Sequence, residues 1–288
     1  MEKVPVSVLL SIYIKERPEY VIACLDSIFN QTVKVDEIVL VEDGPVTEEM
    51  TVIVDKYKET YPEVLHVLPL EKNVGLGKAL AEGVKVCRNE LIARMDADDI
   101  MKTDRIEKQW QLFQKNPNLV IAGSNIIEFE GNIENVLGYR NLPSSNEDIR
   151  EFSKRRNPFN HMTVMYKKSD ILEVGNYLPM SGFEDYYLWV RLLKKGKEAQ
   201  NLSEHLVYAR TGSDMYARRG GWQYFKSGLK GRKAIYQAGL GSFKDFFVSS
   251  SAHVVVSLMP NNLRGKFYEK FLSCLLYTSP SPRDRSVS

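Results

Sequence analysis

Cysteine is scarce in this chain, with three residues (Cys24, Cys87 and Cys274) spread over 288 positions. That spacing supports neither a disulfide framework nor a four-ligand zinc site, and it fits idle buried thiols in a reducing compartment. Histidine is rarer than expected for a His-rich metal centre, with four residues and no ligand spacing among them. No apolar run approaches the roughly 18 residues of a spanning helix. The longest candidate, Phe246 to Met259, is broken by Ser249, Ser250, Ser251, His253 and Ser257. The opening apolar run, Val6 to Leu10, is too short for a secretory leader. There is no P-loop, no dinucleotide fingerprint and no serine or cysteine nucleophile elbow. No internal repeat is visible.

Charge is present in both signs but is unevenly placed. Residues 1–150 carry 17 Lys and Arg against 26 Asp and Glu, whereas residues 151–288 carry 22 against 11. An acidic front suits cations, and a basic rear suits phosphates or an anionic membrane surface. Simple segregation of surface charge is the plainer alternative. The excess is densest over 205–273, where 11 basic residues face three acidic ones.

Hydrophobic periodicity predicts alternating strands and helices in the first half. Strands are expected at Val6–Ile12, Glu37–Glu42, Val64–Leu70 and Leu91–Met95. Helices are expected at Pro18–Gln31, from a Thr47 cap to Thr60, at Gly75–Arg88 and at Thr103–Lys115. This alternation implies an α/β fold with a mostly parallel sheet covered on both faces. A strand pair at Val120–Glu128 and Asn132–Tyr139 makes the sheet mixed. A helix at Glu184–Lys195 and a strand at Leu202–Thr211 complete the domain. Basic helices follow at Trp222–Ala238, Ser242–Met259 and Leu263–Leu272, and the Ser/Pro/Arg-rich segment 274–288 reads as a disordered, non-native tail. The expected division is 1–210, 211–273 and 274–288.

In such sheets ligands bind beyond the carboxyl ends of the strands. Tyr13, Asp43-Gly44 and Asp96-Ala97-Asp98-Asp99 should therefore share one rim. Carboxylates crowded at a strand end repel one another unless a cation neutralises them, and Mg²⁺ or Mn²⁺ would do so with oxygen ligands. The alternative is that Asp98 or Asp99 caps the next helix. Asp43 suits a hydrogen bond to a base or ribose, or is simply a turn residue before Gly44. Asn73-Val-Gly75-Leu-Gly77-Lys78 opens a helix whose N–H groups suit phosphate, although glycines for chain reversal and close packing explain it equally. Glu184-Asp185 opens another helix, either as charge complement to its N-terminus or as a general base. His161 reads as structural.

Together these stations resemble the family 2 glycosyltransferases of GT-A fold, and within them the bacterial exopolysaccharide and lipopolysaccharide transferases. They are Ser11-Ile-Tyr13, Val41-Glu-Asp43-Gly44, Asn73 to Leu80, Arg94-Met-Asp96-Ala-Asp98-Asp99 with Asp104-Arg105, and Glu184-Asp185-Tyr186 with Leu188-Trp189. The likeness covers about residues 4–210. It implies that Ser11, Tyr13, Asp43, Gly75, Lys78, Arg94, Asp96 and Asp99 bind a nucleotide-diphospho-sugar, a UDP-sugar by preference. It also implies that Asp98 ligates Mn²⁺ or Mg²⁺, and that Asp185 is the catalytic base with Glu184 beside it. The implied reaction is inverting transfer to a saccharide or lipid-linked saccharide acceptor. The basic excess over 205–273 and the apolar stretch Phe243 to Met259 point to a cytoplasmic enzyme attached peripherally to an anionic membrane face, the alternative being that these helices simply cover the catalytic domain or form a dimer contact. Arg218-Arg-Gly-Gly-Trp222 does not match the Gln-x-x-Arg-Trp element of processive synthases, so single transfer is expected. A nucleotide-sugar pyrophosphorylase would need a glycine-rich loop after strand one, where Ser11 to Pro18 has none. A nucleic-acid-binding module would set its polyanion against the acidic front rim.

Overall fold

The computed structural model describes residues 2–180, 182–211 and 222–258. Among the described residues nine strands form one sheet in the order β3 (Leu65–Pro69), β2 (Lys34–Glu42), β1 (Lys3–Ile12), β4 (Leu91–Arg94), β8 (Met165–Lys167), β6 (Leu119–Phe129), β9 (Glu198–Arg210) and β5 (Ile100–Met101), with β7 (Val136–Arg140) paired to β6. The first four are β1 (Lys3–Ile12), β2 (Lys34–Glu42), β3 (Leu65–Pro69) and β4 (Leu91–Arg94), all parallel. Between them run α1 (Pro18–Phe29), α2 (Glu48–Thr60) and α3 (Leu76–Val86). Thr47 caps α2 by accepting the Met50 N–H at 3.2 Å.

Beyond β4 the chain continues through β5 (Ile100–Met101), α4 (Arg105–Lys115), β6 (Leu119–Phe129), β7 (Val136–Arg140) and α5 (Asn146–Ser153). A 3-10 turn at His161–Thr163 leads into β8 (Met165–Lys167), α6 (Lys168–Glu173), α7 (Glu184–Lys194) and β9 (Glu198–Arg210). β8 slots antiparallel between β4 and β6, while β6 and β9 pair in parallel. The sheet is thus mixed and mostly parallel, flanked by helices. The short elements β5, α5 and α6 do not appear in the expectation drawn from sequence. β5 has two residues and is a strand only by pairing with β9, whereas α5 has eight residues capped by Ser145 and α6 has six, all three too short to show a period. Strand β9 also starts at Glu198, earlier than the expected Leu202.

Alternation along β1 divides the core. Val6, Val8, Leu10 and Ile12 face α1, α2 and α4, through residues such as Leu25, Val54 and Ile106. Leu9 faces the opposite layer, with Leu80 and Val84 of α3 and Leu188, Trp189 and Leu192 of α7. Each fully buried aliphatic side chain contributes about 1.5–3 kcal/mol, so both layers hold the strand ends in register. Cys24 and Cys87 are buried free thiols, as expected for idle cysteines.

Two further helices, α8 (Trp222–Gln237) and α9 (Phe243–Leu258), form a hairpin against α7. Ile235 packs on Tyr186 and Val190. Asp245 anchors the hairpin, accepting from Arg155 Nε at 2.6 Å and from Ser242 N and Oγ at 2.9 and 2.7 Å. The expected helix at Leu263–Leu272 and the tail 274–288 lie outside the described residues. None of the described helices is long and apolar enough to cross a membrane.

Candidate active site

The parallel register carries β1, β2 and β4 to a common rim. Ile12 stands opposite Glu42, Asp43 N–H donates to Ile12 O at 2.8 Å, and Met95 N–H donates to Leu9 O at 2.9 Å. The stations expected to meet therefore do meet.

Asp43 is buried, at 4% exposed. Its two carboxylate oxygens accept the backbone N–H groups of Val74 at 2.6 Å and Gly75 at 3.0 Å, and Asn73 Nδ2 donates to its carbonyl at 3.1 Å. Asp43 thus holds the loop that opens α3. Gly44 is required at this crossing: its φ is +85°, and a Cβ there would stand 2.5 Å from Asn73 N. Gly75 ends the loop with φ +88° at the start of α3, and Lys78 projects into solvent from its first turn. Ser11 is half-buried at the end of β1, and Tyr13 is 38% exposed just beyond it.

The acidic loop follows β4. Arg94 is 1% exposed and pairs with Asp96, while its Nε and Nη1 have no hydrogen-bond partner. Beneath it Arg105, fully buried, donates to Arg94 O at 2.8 Å, Met95 Sδ at 3.2 Å and Gln109 Oε1 at 3.0 Å. Burial, reinforced by the Arg94 charge, pulls the Arg105 guanidinium down to about 9. Asp98 is half-buried, and burial together with Asp96 raises its carboxyl. Asp99 is 2% exposed and is raised well above the carboxylate range by burial and then by Asp96 and Asp98. Its Oδ1 accepts the Arg210 N–H at 2.7 Å, so it binds the end of β9 to the rim. Neither residue caps a helix: Asp104 occupies the N-cap of α4, without a side-chain bond.

The opposite wall is the first turn of α7. Asp185 is half-buried, accepts Asn157 Nδ2 at 2.6 Å, and has its carboxyl raised by burial, against an opposing pull from Arg94. Burial also raises Glu184. A Cβ on Gly77 would lie 2.7 Å from Glu184 Cγ, so α3 and α7 bring their N-termini within contact of one another. His161 hydrogen-bonds Tyr177 Oη at 3.0 Å and is held well below its usual range by burial, consistent with a structural role.

Three residues of this neighbourhood escaped the sequence reading. Glu16, in the loop after β1, is pushed up to about 7 by burial and by Asp98 and Asp96. The rim rule applied to that loop would have found it. Asn157 pairs with an acid 28 positions away, which no local pattern signals. Arg210 stacks over Tyr20 at 3.8 Å and Phe129 at 4.6 Å and donates to Asp98 O at 3.0 Å and Gly131 O at 2.8 Å.

The donor set suits a hard divalent cation in one respect. Asp98 and Asp99 are crowded, desolvated carboxyls whose repulsion by Asp96 outweighs the pull of Arg94, which pairs directly with Asp96. Among the described residues no three His, Cys, Asp or Glu side chains close round a cation. The remaining ligands would have to come from a diphosphate.

Comparison with known proteins identifies the family and the fold. The family model described as glycosyl transferase family 2 matches residues 7–172. The amylovoran biosynthesis glycosyltransferase AmsE of Erwinia amylovora is 39% identical over 268 residues, spanning 92% of this chain and 98% of that protein. A UDP-Gal:alpha-D-GlcNAc-diphosphoundecaprenol beta-1,3-galactosyltransferase of Escherichia coli is 37% identical over 266 residues, spanning 92% of this chain and 96% of its own. Among solved structures, S. aureus TarS 1–349 in complex with UDP-GlcNAc superposes with a TM-score of 0.65 at 16% identity, covering 95% of this chain and 78% of TarS. The mannosyltransferase PcManGT of Pyrobaculum calidifontis, in complex with GDP-Man and Mn²⁺, gives 0.57 at 14% identity over 94% and 80%. The fold is GT-A, and with a matching family model over more than half its length and relatives aligned almost end to end, the chain belongs to glycosyl transferase family 2.

Proposed function

We propose that this glycosyltransferase moves one sugar per encounter, with inversion, from a UDP-sugar to the hydroxyl of a lipid-linked saccharide in bacterial surface-polysaccharide synthesis. The observation that carries the reading is the convergence of two acidic stations on one rim: Asp96 and Asp98 after β4, and Asp185 on α7, with the buried Arg94 acting electrostatically on Asp96 and Asp185. The names of AmsE and of the galactosyltransferase support the pathway and acceptor class. UDP-GlcNAc in TarS supports the nucleotide, and GDP-Man with Mn²⁺ in PcManGT supports a divalent cation.

In this reading Asp43 and the loop it holds receive the nucleoside, and Asp96 faces the ribose side. Asp98 would hold Mn²⁺ or Mg²⁺, which when bound supplies charge neutralisation for the departing diphosphate. Asp185 takes the proton of the acceptor hydroxyl. Asn157 fixes one of its oxygens, and partial burial raises its basicity as a carboxylate. A single base serves a single displacement, which inverts the anomeric centre. The missing Gln-x-x-Arg-Trp element supports single transfer. The test is a screen of UDP-, GDP- and dTDP-sugars for binding and slow hydrolysis with Mn²⁺ present. A UDP-sugar should stand out, and binding of none would refute the reading.

The hairpin supports cytoplasmic-face membrane attachment. On α8 the outward positions include Trp222, Lys226, Lys230, Lys233 and Tyr236; on α9 they include Lys244, Phe247, Val248 and Val255. Trp222, Phe243 and Phe247 are 63%, 65% and 62% exposed. Over 222–258 the only acid is Asp245, which is buried and paired. An apolar and wholly basic surface matches an anionic bilayer, where each basic residue is worth about 1 kcal/mol. Flotation with anionic vesicles should be salt-sensitive and weakened by Lys230→Glu with Lys233→Glu. No binding at low salt would refute attachment.

A further inference from the structure

The first turn of α7 is approached by bare backbone from two sides. On one side stands Gly77 of α3, against Glu184. On the other stands Gly231 of α8, where a Cβ would lie 2.5 Å from Cγ of Phe183, with Cδ2 and Cδ1 at 2.6 and 2.8 Å. Phe183 is the N-cap of α7, and its carbonyl accepts the Tyr187 N–H at 2.9 Å. The Tyr186 ring is stacked on it at 6.4 Å and the Arg232 guanidinium lies 6.0 Å from its centre. The atoms that a methyl would strike are Cγ and both Cδ of a half-buried ring carried on one methylene. They lie close to the main chain, so relief requires a new rotamer of Phe183 or a shift of the cap of α7 or of the axis of α8.

We infer that Gly231 is a positioning residue for the transfer reaction: by seating Phe183 against α8, it sets where the first turn of α7 presents Asp185. This rests on the reading of Asp185 as the base. It also gives the rear hairpin a part in the chemistry distinct from any contact with lipid, because the outer face and the Gly231 face of α8 are different faces of one helix. Geometry at a proton-transfer site is demanding, since a displacement near 1 Å costs about 10²-fold in rate.

The experiment compares Gly231→Ala, Phe183→Ala and the double variant in the full chain, with two readouts. The first is hydrogen exchange of the amides over 184–188, which needs no substrate. The second is kcat and donor KM with the UDP-sugar that the screen above selects. Gly231→Ala should speed exchange in that turn and lower kcat by roughly 10- to 100-fold, with donor KM within about twofold. Phe183→Ala, which removes Cγ and both Cδ atoms from the contact, should restore most of both in the double variant. An open glycine in a helix would instead be stabilised by alanine. Unchanged or slower exchange in Gly231→Ala therefore overturns the inference, as does a loss that Phe183→Ala does not relieve. If Gly231→Ala alone fails to fold, the double variant decides: its folding supports the inference and its failure overturns it. Altered and rescued exchange with unchanged kcat would mean that the seat exists but Asp185 is not the base.

Discussion

Replacing Arg210 by alanine tests how the acidic loop is held. The side chain closes the rim from behind, with Nε on Asp98 O at 3.0 Å, Nη1 on Gly131 O at 2.8 Å, and its plane over Tyr20 and Phe129. A hydrogen bond from a charged donor is worth about 1.5–3 kcal/mol, and a partly exposed cation–π contact about 0.5–1 kcal/mol. Arg210 is half-buried, and neighbouring contributions overlap, so about 2–4 kcal/mol should be lost. The backbone bond from Arg210 N–H to Asp99 survives the substitution. The loop should therefore loosen at Asp98 rather than detach. Urea unfolding should show the loss in its midpoint, and calorimetry should show weaker Mn²⁺-dependent UDP binding with metal-free binding little changed. Arg210→Lys should recover less than half of the lost stability, because an ammonium can neither stack flat on two rings nor fork to two carbonyls. A midpoint shift below about 0.5 kcal/mol, with unaltered metal dependence, would refute the assignment.

Other expectations follow from the same geometry. Asp98→Asn should abolish Mn²⁺- or Mg²⁺-dependent turnover while leaving the unfolding midpoint nearly intact; unchanged turnover removes it as a ligand. Asp185→Asn should cut turnover by about 10²–10⁴-fold with donor affinity retained. In the wild type, the acid limb of the rate profile should sit above the ordinary carboxylate range, because burial raises Asp185 and activity needs its ionised form. Collapse of donor binding in Asp185→Asn would make it a binding residue instead. Asp245 is held at about 2 by its bonds to Ser242 and Arg155. A depressed carboxyl stabilises the fold above its ordinary value of about 4 and loses that contribution as pH falls towards 2. Asp245→Asn should accordingly speed hydrogen exchange across α8 and α9 at neutral pH and flatten their acid sensitivity; unchanged exchange would show that the anchor is idle.

The βα alternation as far as α4 was legible because the helices are long enough to show their period and β1, β2 and β4 are apolar runs buried on both faces. The rest is built differently. β8 has three residues and β5 has two, and their strand character comes from neighbours such as β4 and β9 rather than from composition. The acidic stations were legible as clusters, since carboxylates at strand and helix starts stand out against an apolar background. Their individual tasks were not. Asp99 and Asp98 are chemically identical and adjacent, yet one is spent on Arg210 N–H while the other faces the rim. Asp43 likewise shows nothing in sequence of the two N–H groups it receives from a loop 31 and 32 positions on.

The bond from Arg210 to Asp99 joins residues 111 positions apart and so imposes a timetable on biosynthesis. Strands β1 to β4 can pair as they leave the ribosome, and Arg94 can already meet Asp96, but the Asp99 carboxylate lacks its Arg210 N–H until β9 emerges. At a typical 5–20 residues per second, that interval is roughly 5–20 seconds. During it, the nascent chain exposes Asp96, Asp98 and Asp99 as mutually repelling charges beside a half-built sheet. Fragments ending before residue 210 should therefore retain the parallel layer yet lack an ordered acidic loop, and the arrival of the last strand would be the event that turns a folded half into a competent catalyst.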